Sequence, residues 1–99
     1  MKLQMHSIRF DADQKLLDFI QKKVDKLETF YDRFIDGEIF LKIDKADTNE
    51  NKIVEVKLNV PGSQLFAKGQ STSFEAAADL AVEAIRRQIF KLKDKQLAH

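Results

Sequence analysis

The stretch Val60-Pro61-Gly62-Ser63-Gln64-Leu65-Phe66-Ala67-Lys68-Gly69-Gln70-Ser71-Thr72-Ser73-Phe74-Glu75-Ala76-Ala77-Ala78-Asp79-Leu80-Ala81 changes hydrophobic period part-way along. Pro61-Gly62 supplies a tight turn, because proline presets φ and glycine accepts the following positive φ. From Gln64 to Gln70, Leu65, Ala67 and Gly69 alternate with Phe66 and Lys68, the period of a strand with one apolar face. From Phe74 the apolar positions become Phe74, Ala77, Ala78 and Ala81, the period of a helix. Thr72 or Ser73 can cap that helix, and Thr72-x-x-Glu75 has capping-box spacing. This part of the chain is therefore turn, strand, helix.

Upstream the period-2 signal repeats. Lys52 to Val60 sets Val54, Val56, Leu58 and Val60 against Glu55, Lys57 and Asn59. Glu38 to Lys45 sets Ile39, Leu41 and Ile43 against Phe40 and Lys42. Residues 46–51 are polar and read as a hairpin loop, and Asp36-Gly37 reads as a turn. Before it, Leu16, Leu17, Ile20, Val24, Leu27 and Tyr31 form a helical stripe running to about Tyr31. Asp11 or Asp13 can cap it, and Asp11-x-x-Gln14 also fits a capping box. Residues 2–8 suit a first strand, with Leu3 and Met5 between Lys2, Gln4 and His6. The order is β-α-β-β-β-α. Strands with one apolar face need cover on one side only, which two amphipathic helices supply. The expected fold is α+β: a four-stranded, mostly antiparallel sheet with both helices packed on one face.

Composition narrows the function. A chain of 99 residues, 43% hydrophobic and 33% charged, makes one small domain spanning 1–99. Without cysteine there is neither a disulfide framework nor a thiolate metal site, and a reducing compartment is expected. Met1-Lys2-Leu3-Gln4-Met5-His6 carries no apolar run of signal-peptide length. No stretch approaches the ~20 apolar residues of a membrane span, so a cytoplasmic protein with no membrane partner is expected. Three glycines form no phosphate loop, and the two histidines, His6 and His99, lie near opposite ends. Asp44, Asp47 and Glu50 surround a loop but lack the glycine and distal glutamate of a calcium loop, and read as loop polarity. No catalytic residue, cofactor, metal or small-molecule substrate is expected.

The bases are more informative. The net charge is only +1, from 17 bases and 16 acids, so any basic surface depends on local arrangement. On the first helix Lys15, Lys22, Lys26 and Arg33 fall within about 40° of one another at ~100° per residue, opposite the apolar stripe. Asp18 and Asp25 lie at ion-pair spacing from Lys22, so this face reads either as a salt-bridged solvated surface or as a phosphate contact. On the last helix Arg87, Lys91 and Lys95 form one stripe, with Arg86 and Lys93 on the other side. Acids Glu75, Asp79 and Glu83 occupy its first half, and only Asp94 follows. Macrodipole stabilisation explains part of that polarity; five bases in the last ten helical positions exceed it and suit phosphate. Among the aromatics, Phe19, Phe30, Phe34 and Phe74 read as core or rim. Phe40 and Phe66 fall on the outer sheet face beside Lys42, Lys57 and Lys68, and Phe90 points away from the apolar stripe. Those three read as isolated exposed rings, as a partner surface, or as stacking platforms for unpaired bases.

With that order in place, the chain resembles the ribosome hibernation-promoting factors, also called ribosome-associated inhibitors or the sigma-54 modulation protein family, over nearly its whole length. The resemblance lies in Phe19-Ile20-Gln21-Lys22-Lys23-Val24-Asp25-Lys26-Leu27-Glu28 with Phe30-Tyr31-Asp32, in Val60-Pro61-Gly62, and in Ala76-Ala77-Ala78-Asp79-Leu80-Ala81-Val82 running on to Arg87-Gln88 and Lys91-x-Lys93. It implies a double-stranded-RNA-binding-like fold with an extra first strand. It further implies lodging in the small-subunit cleft where messenger and transfer RNA sit, contact with rRNA, and silencing of translation in stationary or starved cells by occlusion. By position, Lys23, Lys26, Arg87, Lys91 and Lys93 match basic residues of the family's helices; Lys22 and Arg86 join them on geometry alone. The chain departs from the family at Ala84 and Phe90, where further bases are common, and near Ile8. Ending at His99, it looks like the short form without a C-terminal dimerisation domain.

The expected function is thus a non-enzymatic, cytoplasmic, rRNA-binding translation silencer on the small ribosomal subunit, with no DNA partner. The alternative is a protein-interaction module using the outer sheet face around Phe40 and Phe66.

Overall fold

The computed structural model describes residues 1–45 and 49–97. Its elements are β1 (Leu3–Ser7), α1 (Gln14–Asp25) continued by a 3₁₀ turn (Lys26–Thr29), β2 (Asp36–Ile43), β3 (Lys52–Val60), β4 (Ser63–Ser71) and α2 (Phe74–Leu97). The strands form one sheet in the order β1-β2-β3-β4. β1 runs parallel to β2, joined by the α1 crossover, and the other two pairings are antiparallel. The α+β fold, the element order and the mostly antiparallel sheet are those expected.

Burial explains the one-sided arrangement. Ile39, Leu41, Val54, Val56, Leu58, Val60, Leu65 and Ala67 are buried on one face of the sheet. They meet Ile20, Val24, Leu27 and Tyr31 from the first helical segment and the chain just after it, and Phe74, Ala77, Ala78, Ala81, Ile85 and Ile89 from α2. The alternating residues Phe40, Lys42, Glu55, Lys57, Phe66 and Lys68 stay outside the core. α2 presents alanines to the sheet because it lies close: a Cβ on Gly69 would sit 2.0 Å from the Ala77 carbonyl oxygen. The β3–β4 turn uses Pro61 and Gly62, with Gly62 at φ 76°, as a type II turn requires.

Several local expectations are narrowed to one of their alternatives or corrected. The first helix is capped by Asp13, whose side chain accepts from the Lys15 N–H at 3.2 Å, so Asp11 and its capping box are not used. Ser73 caps α2 by accepting from the Ala76 N–H at 3.1 Å, in place of the Thr72–Glu75 box. α1 tightens to 3₁₀ geometry at Lys26, with Thr29 Oγ1 donating to the Lys26 carbonyl at 2.8 Å, well before Tyr31. Asp36-Gly37 is not a turn but the start of β2, where Gly37 packs between Leu3 and Leu58. Ile43, expected inward, is exposed because it stands at the last pair of the β2–β3 ladder, beyond the core. β2 and β3 are joined as a hairpin by register, and the Asp44 N–H donates to the Asn51 carbonyl at 2.7 Å. Residues 46–48 of the expected loop, Asp47 among them, and His99 lie outside the described residues.

Candidate nucleic-acid interface

Among the described residues no polar or charged side chain is buried, and no group of histidine or carboxylate side chains gathers as a metal site. No helix is long and apolar enough to cross a membrane. The residues expected to meet phosphate are bases on the two helices, and their surroundings differ.

α1 and its 3₁₀ continuation expose Lys15, Lys22 and Lys26. The expected fourth base, Arg33, is off the helix, because the 3₁₀ turn ends at Thr29 and the chain has already left the helical path. Neither expected ion pair to Lys22 forms. Asp18 accepts from Gln14 Nε2 at 2.9 Å, and Asp25 accepts from Gln21 Nε2 at 2.9 Å. The Met1 ammonium takes both Asp25, at 2.9 Å, and Glu28. The Met1 side chain is nearly covered, and the Met1 carbonyl accepts from Gln21 Nε2 at 3.0 Å. Glu28 first, and Asp25 after it, hold the Met1 ammonium pKa above its ordinary value. The acids of this helix are thus occupied away from the bases, and Lys22 and Lys26 have no ion-pair partner among the described residues.

The remaining bases divide into two groups. Three lie along the seam between the helices. Lys23 pairs with Asp79 of α2, and its Nζ sits 5.6 Å from the Phe19 ring centre. Arg86 places its guanidinium 5.1 Å from the centres of both Phe30 and Phe90, and bonds Glu83 at 3.2 Å. Lys93 donates to the Phe30 carbonyl at 2.9 Å and lies 5.9 Å from the Phe90 ring centre. Phe30 and Phe90 themselves meet edge to face at 5.7 Å. The other group, Arg87 and Lys91, lies on the opposite edge of α2, exposed and without an ion pair among the described residues. Lys91 and Lys95 border an open groove between α2 and β4, lined also by Ser63, Leu65, Gln88 and Leu92. Gln88 anchors that edge by donating to the Phe66 carbonyl at 2.6 Å.

The seven expected residues therefore form two sets. Lys22, Lys26, Arg87 and Lys91 can turn toward phosphate at no cost in existing contacts. Lys23 also ties α1 to α2, and Arg86 and Lys93 tie Phe30, just past the 3₁₀ turn, to α2. Pattern reading passed over Arg9, an exposed base at φ 65° in the β1–α1 connection. It also missed the Phe30–Arg86–Phe90 cluster: Arg86 and Phe90 are i, i+4 neighbours on α2, and Phe30 joins them only through packing. On the outer sheet face Phe40 is already engaged, stacked on His6 at 4.9 Å and lying under Lys57 Nζ at 5.3 Å. His6 Nε2 is 3.0 Å from Glu38, and Lys42 bonds Glu55 at 3.2 Å. Phe66 is 44% exposed.

Fold and surface together define a small α+β domain with exposed bases on its helical face. The sequence model of the family described as Sigma 54 modulation protein / S30EA ribosomal protein matches residues 3–97. The "Ribosome hibernation promoting factor" of Klebsiella oxytoca is 30% identical over 99 residues, covering 100% of both chains. That of Escherichia coli K12 is 27% identical over the same span. Among solved structures, a ribosomal subunit interface protein from Coxiella burnetii superimposes with a TM-score of 0.85 at 26% identity, covering 95% of this chain and 99% of that one. The Thermus thermophilus Protein Y N-terminal domain shares the fold, at a TM-score of 0.79 and 17% identity over 93% of this chain and 99% of that one. The chain belongs to the sigma 54 modulation protein / S30EA ribosomal protein family.

Proposed function

We propose that this protein binds the ribosome and silences translation by occupying the mRNA/tRNA cleft of the small subunit in stationary or starved cells. The observation that carries the reading is the alignment, spanning 100% of both chains, with a relative named for ribosome hibernation. The surface supports it: four of the seven expected bases are exposed and unpaired among the described residues, on two helices of one face. Binding alone performs the function, with no bond made or broken. Lys22, Lys26, Arg87 and Lys91 meet rRNA phosphates and release counterions, which supplies affinity and makes it salt-dependent; the shape of the helix layer supplies specificity. Lys23 and Arg86, whose charges Asp79 and Glu83 offset, and Lys93 keep the helical layer in register. The protein works in the cytoplasm, where ribosomes are.

The test is co-sedimentation with bacterial ribosomes and separated subunits through a sucrose cushion at low and raised salt. Pelleting with the small subunit, lost as salt rises and competed by initiator tRNA, is the expected result. Failure to pellet at low salt overturns the reading. Pelleting that persists at high salt and is insensitive to tRNA points instead to a protein contact through the outer sheet face around Phe66.

A further inference from the structure

We propose that Phe30, Arg86 and Phe90 form a stacking site for an unpaired nucleobase, so that the RNA met by this part of the seam is looped or bulged there rather than continuous duplex. The inference rests on the reading above that the ligand is RNA, and deepens it.

Three planar groups converge at this point. The Arg86 guanidinium lies 5.1 Å from each ring centre, and the rings cross at 65°, so the guanidinium covers the notch between them. The cluster is only half covered: Phe90 is 40% exposed and the Arg86 side chain 42%. Glu83, bonded to Arg86 at 3.2 Å, offsets the arginine's charge and fixes its orientation. A base meant mainly for phosphate gains from reach and from an uncompensated charge, and Arg86 has neither. What it keeps is a fixed planar surface, continuous with an aromatic edge. Arginine planes and aromatic rings are the surfaces on which unpaired RNA bases stack, and stacking is tolerant of sequence because every base has a π face. Lys93, bound to the Phe30 carbonyl at 2.9 Å and 5.9 Å from the Phe90 ring centre, sets a cation beside the platform for the phosphate that flanks a stacked base.

Phe40 and Phe66 lack this combination. Phe40 is stacked on His6 beneath Lys57, with no arginine plane beside it. Phe66 makes no ring or cation contact among the described residues. A protein partner would find little apolar area here, ringed by Arg86 and Lys93, which favours a ligand that is flat and negatively charged at its edge.

Two short RNA hairpins identical but for one bulged position, an adenine in one and an abasic site in the other, test the site by fluorescence anisotropy at low salt. The wild-type chain is expected to prefer the adenine probe by about five-fold to a hundred-fold. Phe90→Leu, which keeps the apolar contact with Phe30, and Arg86→Lys, which keeps the charge without the plane, should each bring the two probes close together. Phe90→Tyr should retain the preference. Melting curves establish that each variant is folded. Equal wild-type affinity for both probes overturns the inference; if ribosomes still pellet the chain, the wider reading stands. Binding to neither probe overturns it as well, and ribosome pelleting then shows whether the wider reading falls with it. Loss of ribosome binding in Phe90→Leu without any discrimination between probes would assign the cluster to a protein contact and also overturn the inference.

Discussion

The two flanks of α2 carry the same residue types in different circumstances. On the seam side, Lys23, Arg86 and Lys93 each touch a named partner: Asp79, the Phe30 and Phe90 rings, and the Phe30 carbonyl. On the outer side, Arg87 and Lys91 stand exposed with no ion pair among the described residues. A cation with a partner holds the fold and offers a fixed surface. A cation without one contributes little to stability and leaves its field for an incoming anion. The two flanks should therefore separate when stability and binding are measured on the same variants.

Both flanks depend on how closely α2 lies on β4, so the largest effect is expected at the contact between them. A Cβ at Gly69 would meet the Ala77 carbonyl oxygen at 2.0 Å and the Ala81 nitrogen at 2.9 Å, both backbone atoms that no rotamer change can move aside. Gly69→Ala must lift the helix, at an overpacking cost of roughly 1–3 kcal/mol and a melting-temperature fall on the order of 10 °C. Stability and ribosome binding should drop together. An unchanged melting temperature would mean that α2 seats differently from the arrangement described.

The next largest effect falls on binding alone. Arg87→Glu with Lys91→Glu should weaken ribosome association at least about ten-fold and lower the salt slope by roughly one unit per residue. The melting temperature should stay within a degree or two of wild type, as expected for substitutions of unpaired surface groups. Unchanged association would remove the outer flank from the binding surface. Lys93→Met is the counterpart on the seam. It deletes the bond to the Phe30 carbonyl and should cost about 1 kcal/mol of stability, read by chemical denaturation, together with a smaller loss of binding. If Lys93→Met affects binding only, the comparison between the flanks fails.

How far this was legible follows from the physics of each signal. β2, β3 and β4 announce themselves because one face of the sheet is buried and the other is not, so their period is written into Ile39, Leu41, Val54, Val56, Leu58, Leu65 and Ala67. Asp36-Gly37 misleads because glycine serves both turns and close approaches. Here Gly37 admits Leu3 and Leu58, whose Cδ2 atoms would lie 2.8 and 2.5 Å from a Cβ at that position. Arg33 appears on a helical stripe only if the helix continues, and the tightening at Lys26 to Thr29 is a local hydrogen-bonding event that spacing does not reveal. The basic stripes are visible as patterns, but their partners are not. Lys93 and Phe30 are 63 residues apart, and the bond between them depends on how α2 packs against the chain just past the 3₁₀ turn. Pattern shows which residues can be basic surface; packing decides which of them are free.

The smallest effect expected concerns how α1 keeps its bases free. The Met1 ammonium holds Asp25 and Glu28, and these two carboxylates raise its pKa. A group whose pKa is higher folded than unfolded contributes stability that is fully present below the unfolded value and lost as pH rises through the folded one. With Met1 free at its amine, the melting temperature should therefore fall slightly as pH rises above about 8. RNA affinity should fall over the same window, because a neutral amine leaves Asp25 and Glu28 as uncompensated acids on the helix that carries Lys22 and Lys26. Asp25→Asn with Glu28→Gln removes both carboxylates and should flatten the two pH profiles. A slope that persists in that double variant would assign the titration to another group. The freedom of Lys22 and Lys26 would then owe nothing to the chain's first residue.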